Sequence, residues 1–203
     1  MSKPTLTYFD YAGSRGEEVR LALTLAGVEF EDRRIKFDDW PALKPTTPFG
    51  TLPTLEVEGR GVLAQTNTIL AYIGREHGML PEDSWEAAQH EALLAACEEL
   101  RGTVMPVLRI KDAEASKAAR EELAKGYLHE WGQRVEAQLG EGPFVAGDTP
   151  SVADIKLHMI SKWFSSGNVD HVPAEVFAHC PKLQGIERAV REHPKVVAWY
   201  EQS

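Results

Sequence analysis

The stretch that most constrains this chain is Thr47-Pro48-Phe49-Gly50-Thr51-Leu52-Pro53-Thr54-Leu55-Glu56-Val57. Residues Thr54 to Val57 read as a strand, and Pro53 stands at its entry. Proline has no N–H to give to a sheet ladder, so it belongs at a strand's start and not inside it. A cis peptide before Pro53 would turn the backbone of Leu52 outward and leave its N–H and C=O without ladder partners. Such groups can pair with an extended peptide as one more strand would. Gln65-Thr66-Asn67-Thr68 then opens a helix whose first N–H groups suit a carboxylate. From these residues alone two readings stand: a peptide-binding cradle, or a tight turn, a hairpin and a capped helix.

The flanking sequence supplies the rest of a small mixed sheet. Leu6 to Phe9 reads as a first strand, rich in β-favouring side chains. Gly13-Ser14-Arg15-Gly16 breaks it. A helix is expected from Glu17 to Ala26, with Gly27 as its stop and acids in its first turn. Val28 to Ile35 reads as a second strand, parallel to the first through a right-handed crossover. Trp40 to Pro48 holds three prolines in nine residues and reads as irregular. Glu58-Gly59-Arg60-Gly61 between two short apolar runs is a hairpin signature. The helix from Gln65 to His77 completes the order β-α-β, then β-β-α. That order resembles the thioredoxin fold.

Gly78 to Ser84 reads as a linker, and strand signals stop beyond it. Long helices are expected over Trp85–Arg109, bent at Pro106, and over Ala113–Leu139. Ser151-x-x-Asp154 is a helix-capping pattern for a helix reaching Phe164. Pro181 and Pro194 suit the first turns of two last helices. The expected organisation is an N-terminal α/β unit (1–78), a linker (79–84) and an all-helical unit (85–203).

Composition narrows the function classes. A net charge of −9 with pI near 5.3 argues against binding a nucleic-acid backbone, which needs a basic face. The two cysteines, Cys97 and Cys180, lack CxxC spacing and indicate neither a metal site nor a redox dithiol. Met1 to Asp10 carries no apolar leader, and no apolar run has membrane-spanning length. The expectation is a soluble cytoplasmic protein without a metal.

Several residues have both a chemical and a plain reading. Tyr8 ends the first strand and faces the start of the first helix. Its hydroxyl is a donor that stabilises an anion within reach; alternatively it is a core aromatic. A thiol titrates near pH 8.5, so only a few per cent is thiolate at neutrality. A hydroxyl bond plus a helix N-terminus lowers that by roughly one to two units, about 1.4–2.7 kcal/mol. Trp40 and Lys44 offer an indole N–H and a cation to a carboxylate, or are a loop aromatic and a solvated charge. Arg15 either bridges a ligand to Glu17 or is a surface charge. Tyr11 is a candidate wall for an apolar second substrate.

In order and spacing, these residues resemble the soluble glutathione S-transferases of the tyrosine type, closest to the sigma-like class. The matching runs are Leu6-Thr7-Tyr8-Phe9-Asp10, Arg15-Gly16-Glu17-Glu18-Val19-Arg20, Trp40-x-x-x-Lys44, Pro48-Phe49-Gly50-Thr51-Leu52-Pro53 and Leu63-Ala64-Gln65-Thr66, with Val152-Ala153-Asp154 matching the family's capping motif. The resemblance implies that Tyr8 activates the glutathione thiol and that Arg15 is among the residues that bind glutathione. Trp40 and Lys44 would hold the glycine carboxylate. Leu52, before a cis Pro53, would pair by backbone with the cysteine, Thr51 and Pro53 would border the same ligand, and Gln65 and Thr66 would bind the γ-glutamyl end. Glu99 would reach the amine of the partner's glutathione, and Phe49 would be the aromatic key of a homodimer. The electrophile pocket would lie between the units, from Tyr11, Gly13, Thr103 and Met105, with Trp163 or Phe164 as further walls. Thr66 replaces the commoner serine, Thr51 the commoner glutamine and Glu99 the usual aspartate. One residue is inserted between Tyr8 and Arg15.

The implied function is addition of glutathione to an apolar electrophile, a detoxification reaction. Peroxide reduction and isomerisation are variants on the same site, and a non-catalytic ligand-binding relative is the alternative. A thiol–disulfide oxidoreductase would need a cysteine near Gly13-Ser14-Arg15, where none stands.

Overall fold

The computed structural model describes residues 3–202. Met1, Ser2 and Ser203, the outer ends of the two expected units, lie outside the described residues. By internal contacts the chain separates into two units. The first runs to Ala87 and takes back the segment from His193 onward; the second spans Ala88–Glu192.

The first unit begins with β1 (Thr5–Phe9), α1 (Ser14–Ala26) and β2 (Glu31–Ile35). Helix α1 starts three residues earlier than expected, so the Gly13–Gly16 stretch is its N-terminus and not a break. Gly27 ends it in the left-handed region, at φ 70°. Strand β2 starts later than Val28 because the Val28 N–H is spent on the Leu23 carbonyl at the helix end (2.9 Å). The proline-rich segment is not irregular. It forms consecutive helical turns at Phe37–Asp39, α2 (Trp40–Leu43), Lys44–Thr46 and Pro48–Gly50. Prolines at first-turn positions suit these turns, because no hydrogen bond is lost there.

Strands β3 (Thr54–Val57) and β4 (Gly61–Ala64) form the hairpin, and α3 (Thr66–Glu76) follows. The four strands lie in the order β2-β1-β3-β4, with β1 parallel to β2 and antiparallel to β3. Helices α1 and α3 cover the sheet with Val19, Leu21, Leu23, Ile69, Leu70 and Ile73, all buried. This is the mixed sheet of a thioredoxin-like domain. The segment after α3 is not loose: Met79 and Leu80 are buried and their N–H groups donate to the Gly74 carbonyl (2.8 and 3.2 Å).

Helix α4 (Ser84–Leu108) is capped by Asp83, contains Pro106 and carries the chain into the second unit. The expected single helix over 113–139 is divided into α5 (Ala113–Leu123), a π turn at Ala124–Leu128 and α6 (His129–Glu136). A π turn inserts a residue and so rotates everything after it. Helix α7 (Val152–Ser165) is the core of this unit, with every residue from Ser151 to Ser161 buried. Its start is the expected capping box: Asp154 accepts from the Ser151 N–H and hydroxyl, both at 2.7 Å, and from the Val145 N–H at 2.7 Å. Burial outweighs those three bonds and pushes the Asp154 carboxyl up to about 6. The fully buried Lys156 of α7 is paired with Glu98, which also binds Arg101 at 2.9 Å. Pro181 and Pro194 begin α8 (Pro181–Arg191) and α9 (Pro194–Gln202). Among the described residues, no helix is long and apolar enough to cross a membrane.

Candidate functional site

Strand register brings the expected residues of the first unit to one end of the sheet. Thr7 on β1 pairs with Thr54 on β3, and Thr54 pairs with Ala64 on β4. The next residues outward are Tyr8, Pro53 and Gln65, so all three leave the sheet at the same end. The Leu52–Pro53 peptide is cis. Leu52 makes no backbone hydrogen bond among the described residues. Gln65 caps α3 at φ 73°, without a side-chain cap bond. An uncommon backbone region for a non-glycine residue at a helix start belongs with sites that have work to do. Thr66 behind it is buried.

Tyr8 is 8% exposed, and its ring lies against the first turn of α1. The position of Gly16 makes this contact possible. A Cβ there would stand 2.0 Å from Tyr8 Cδ1 and 2.2 Å from Cγ. Helix α1 has Gly13 as its N-cap with no side-chain cap bond, so its first N–H groups are not satisfied from that side chain. The Tyr8 hydroxyl has no hydrogen-bond partner among the described residues. A phenol donor and a helix N-terminus therefore sit together, which is the electrostatic arrangement an anion requires. Arg15 is half-buried in the same turn.

Two further donors join through packing. Trp40 is half-buried and meets Phe9 edge-on, with ring centroids 5.9 Å apart. Lys44 runs beside Gly50, where an added Cβ would stand 3.3 Å from Lys44 Cε. Neither the Trp40 indole nor the Lys44 ammonium has a hydrogen-bond or ion-pair partner among the described residues. Thr51 differs from the rest: its hydroxyl is buried and unpartnered. The hydroxyl is therefore shielded from solvent, which leaves its backbone as the polar part free to face a ligand. Tyr11 is 53% exposed, and its ring covers Gly13.

The remaining expected residues lie on the second unit. Glu99 and Thr103 are exposed on α4, where the Thr103 hydroxyl donates to the Glu99 carbonyl (3.1 Å), and Met105 is half-buried. Phe164 is no pocket wall. It is 1% exposed and packs edge-on against Phe177, which makes it core. Trp163 is half-buried beside it. Glu99 also borders a cavity of about 450 Å³ between α4 and the α5–α6 segment, lined chiefly by Leu93, Ala96, Tyr127, Trp131 and Val135.

Sequence reasoning missed the side chains beneath the site. Glu17 and Arg20 of α1 are buried, at 1% and 0% exposure, a burial that the sequence reading did not single out. Arg20 donates to the carbonyls of Phe9 (3.3 Å) and Tyr11 (2.9 Å), to Glu17 (3.1 Å) and to both oxygens of Asp32 (3.1 Å each). The available signal was a charged residue recurring on the apolar face of a short helix.

Residues 4–75 match the family model "Glutathione S-transferase, N-terminal domain", and residues 98–203 match "Glutathione S-transferase, C-terminal domain". The chain is 46% identical over 110 residues to glutathione S-transferase 1 of Ascaris suum, a match covering 54% of this chain and 52% of that protein. A solved prostaglandin synthase D of Nilaparvata lugens superposes with a TM-score of 0.85 at 26% identity, over 99% of this chain and 98% of that one. A glutathione S-transferase of Necator americanus, described as monomeric, superposes with a TM-score of 0.81 at 27% identity, covering 99% and 97%.

Proposed function

Since the chain belongs to the glutathione S-transferase family, we propose that it holds glutathione at the Tyr8 end of the sheet and adds its sulfur to an apolar electrophile. The observation that carries this reading is the Tyr8 ring seated on Gly16 at the start of α1, with its hydroxyl unpartnered. That hydroxyl would donate to the glutathione sulfur, and the positive end of α1 would add to the field on it. The thiolate attacks the electrophilic carbon, a C–S bond forms, and the leaving group departs with the bond's electrons. Tyr8 acts as a donor and not as a base. Holding both reactants also removes much of the entropic barrier.

The other roles extend along the tripeptide. The Leu52 N–H and C=O pair with the cysteinyl residue as an added strand, with Thr51 and Pro53 fixing the backbone on either side. Gln65 and Thr66 receive the γ-glutamyl carboxylate at the N-terminus of α3. Trp40 and Lys44 take the glycine carboxylate, and Arg15, in the first turn of α1, is a further contact to the tripeptide. Tyr11 and Gly13 wall the electrophile on the first unit, and it is selected by size and shape. The enzyme is a cytoplasmic, detoxifying one.

A homodimer is part of this reading. Phe49 is 79% exposed at φ 58°, a costly position for a lone aromatic. The cavity beside Trp131 has ample room for a phenyl ring, since about 150 Å³ suffices for benzene. A two-fold axis would place Phe49 of each copy into the cavity of the other, with Glu99 at the rim facing the partner's glutathione.

Turnover of a generic aryl halide with glutathione, run beside Tyr8→Phe, tests the function. Wild-type activity no higher than the variant's would favour a ligand-binding protein. Isomerisation is the second reading, supported by the likeness to a prostaglandin synthase. Faster turnover of a lipid endoperoxide than of the aryl halide would select it, and faster reduction of an organic hydroperoxide would select a peroxidase.

A further inference from the structure

Helix α9 returns to the first unit and lies along α1, touching it at both ends. At the C-terminal end, Lys195 Nζ donates to the Leu25 carbonyl at 2.7 Å, where a cation suits the helix terminus. At the N-terminal end, the Trp199 indole N–H donates to Glu17 Oε1 at 2.8 Å. The Tyr200 phenol lies close enough to feel the Glu17 charge; burial first, and then that charge, keep the phenol protonated. The Trp199 ring packs against Phe30, with centroids 5.8 Å apart.

The other oxygen of Glu17 accepts from Arg20, whose guanidinium also holds the main-chain carbonyls of Phe9 and Tyr11. Those two carbonyls are the first chain atoms beyond Tyr8 that can fix where β1 turns toward α1. Arg20 Cζ lies 5.9 Å from the Tyr8 ring centroid, so the same cation also faces the ring. Asp32 closes the cluster from β2 and is itself bound by Arg34 at 2.7 Å, which reaches Asp10 at 3.5 Å. Within the cluster, Glu17 faces Arg20, Trp199 and Tyr200, and Arg20 faces Glu17, Asp32 and the ring of Tyr8.

We propose that Trp199, Glu17 and Arg20 are positioning residues for the thiol chemistry, through which the C-terminal helix sets the placement of Tyr8 and the charge at the start of α1. This inference rests on the glutathione reading of the Tyr8 site. It extends that reading to a helix that contributes no proposed ligand contact. Glu17 sits in the first turn of α1, the turn that faces the sulfur, so any change in its neutralisation is felt by the thiolate. An uncompensated Glu17 disfavours the thiolate; a neutral side chain there favours it.

The test compares wild type, Trp199→Phe, Glu17→Gln and Tyr8→Phe by the pH profile of kcat/KM for glutathione and by thermal unfolding. Trp199→Phe keeps an aromatic ring toward Phe30 and deletes the indole N–H together with part of the ring system. Its kcat/KM is expected to fall about three- to tenfold. The acidic midpoint of its profile should rise by about half a unit. Glu17→Gln keeps the acceptor and deletes the charge, and its midpoint should move down. Opposite movements are not what a general loss of stability produces. If both midpoints stay at the wild-type value while Tyr8→Phe is impaired, the inference is overturned and the glutathione reading stands, whatever the unfolding temperatures do. If Tyr8→Phe matches wild type, or wild type shows no turnover, both are overturned.

Discussion

Gly16→Ala separates two physical effects that pull in opposite directions. Alanine is the better helix former by about 1 kcal/mol, so local propensity favours the substitution within α1. Tertiary contact opposes it. The new Cβ would lie 2.0 Å from Tyr8 Cδ1, 2.2 Å from Cγ and 2.7 Å from Cε1. Carbon atoms rest at about 3.5–4.0 Å, so ring and helix must part by about 1.5 Å. Overpacking of this kind costs about 1–3 kcal/mol, which leaves a net loss of up to about 2 kcal/mol. The effect on catalysis should be larger. A displacement near 1 Å at a reacting centre can cost about a hundredfold, so kcat/KM for glutathione should drop toward that of Tyr8→Phe. Urea unfolding and steady-state kinetics with an aryl halide measure the two effects. Gly185→Ala is the control. It is also inside a helix, but its Cβ would meet nothing within 4 Å, and it should gain about 1 kcal/mol without touching activity. A Gly16→Ala enzyme that is more stable and fully active would refute the placement of Tyr8 on that turn.

Thr51→Val removes a buried hydroxyl that has no partner, so stability should hold or rise by about 1–2 kcal/mol with KM for glutathione unchanged. A severalfold rise in KM would mean that the hydroxyl touches the ligand. Phe49→Ser withdraws two aromatic keys per dimer, each worth about 1.5–3 kcal/mol, and should weaken association at least a hundredfold. Sedimentation equilibrium reads this, and a wild type that is monomeric at micromolar concentration would remove the dimer. Burial, followed by Lys162 and Arg191, pulls the His158 imidazole down to about 4, against an ordinary 6.5. The neutral ring therefore contributes stability above about pH 6.5 that is lost as the pH falls toward 4, about 3 kcal/mol in all. Asp154, raised from 3.8 to about 6, acts in the opposite sense: its contribution is present below about pH 4 and is lost as the pH rises through 6. The two largely offset each other between pH 4 and 6. His158→Gln should expose the Asp154 slope, with stability rising on acidification; a variant as acid-labile as wild type would contradict this.

Much of the fold is legible in the sequence because its signals are local. Pro53, the Gly59–Gly61 turn, Gly27 and the Ser151–Asp154 cap each act within a few residues, and each lies where the pattern places it. The start of α1 was misplaced because Gly13 and Gly16 look like breakers. They are small because the rings of Tyr11 and Tyr8, from the residues just before, lie on them in the folded unit. The break at Ala124–Leu128 carries no such local mark, since a π turn needs only one extra residue to be absorbed. The candidate ligand residues could be assembled from motif order. The cluster under them could not, because Arg20 and Trp199 are 179 positions apart and their meeting through Glu17 exists only in the folded unit. The return of residues after His193 to the first unit was hidden for the same reason.

The most direct measurement is the ultraviolet titration of the sulfur in the complex with glutathione. Bound to the wild type, the thiol should ionise roughly one to two units below the ordinary value near 8.5, and Tyr8→Phe should return most of that shift. A bound thiol that ionises at its solution value, or equally early without the Tyr8 hydroxyl, would contradict the role given to the phenol at the start of α1.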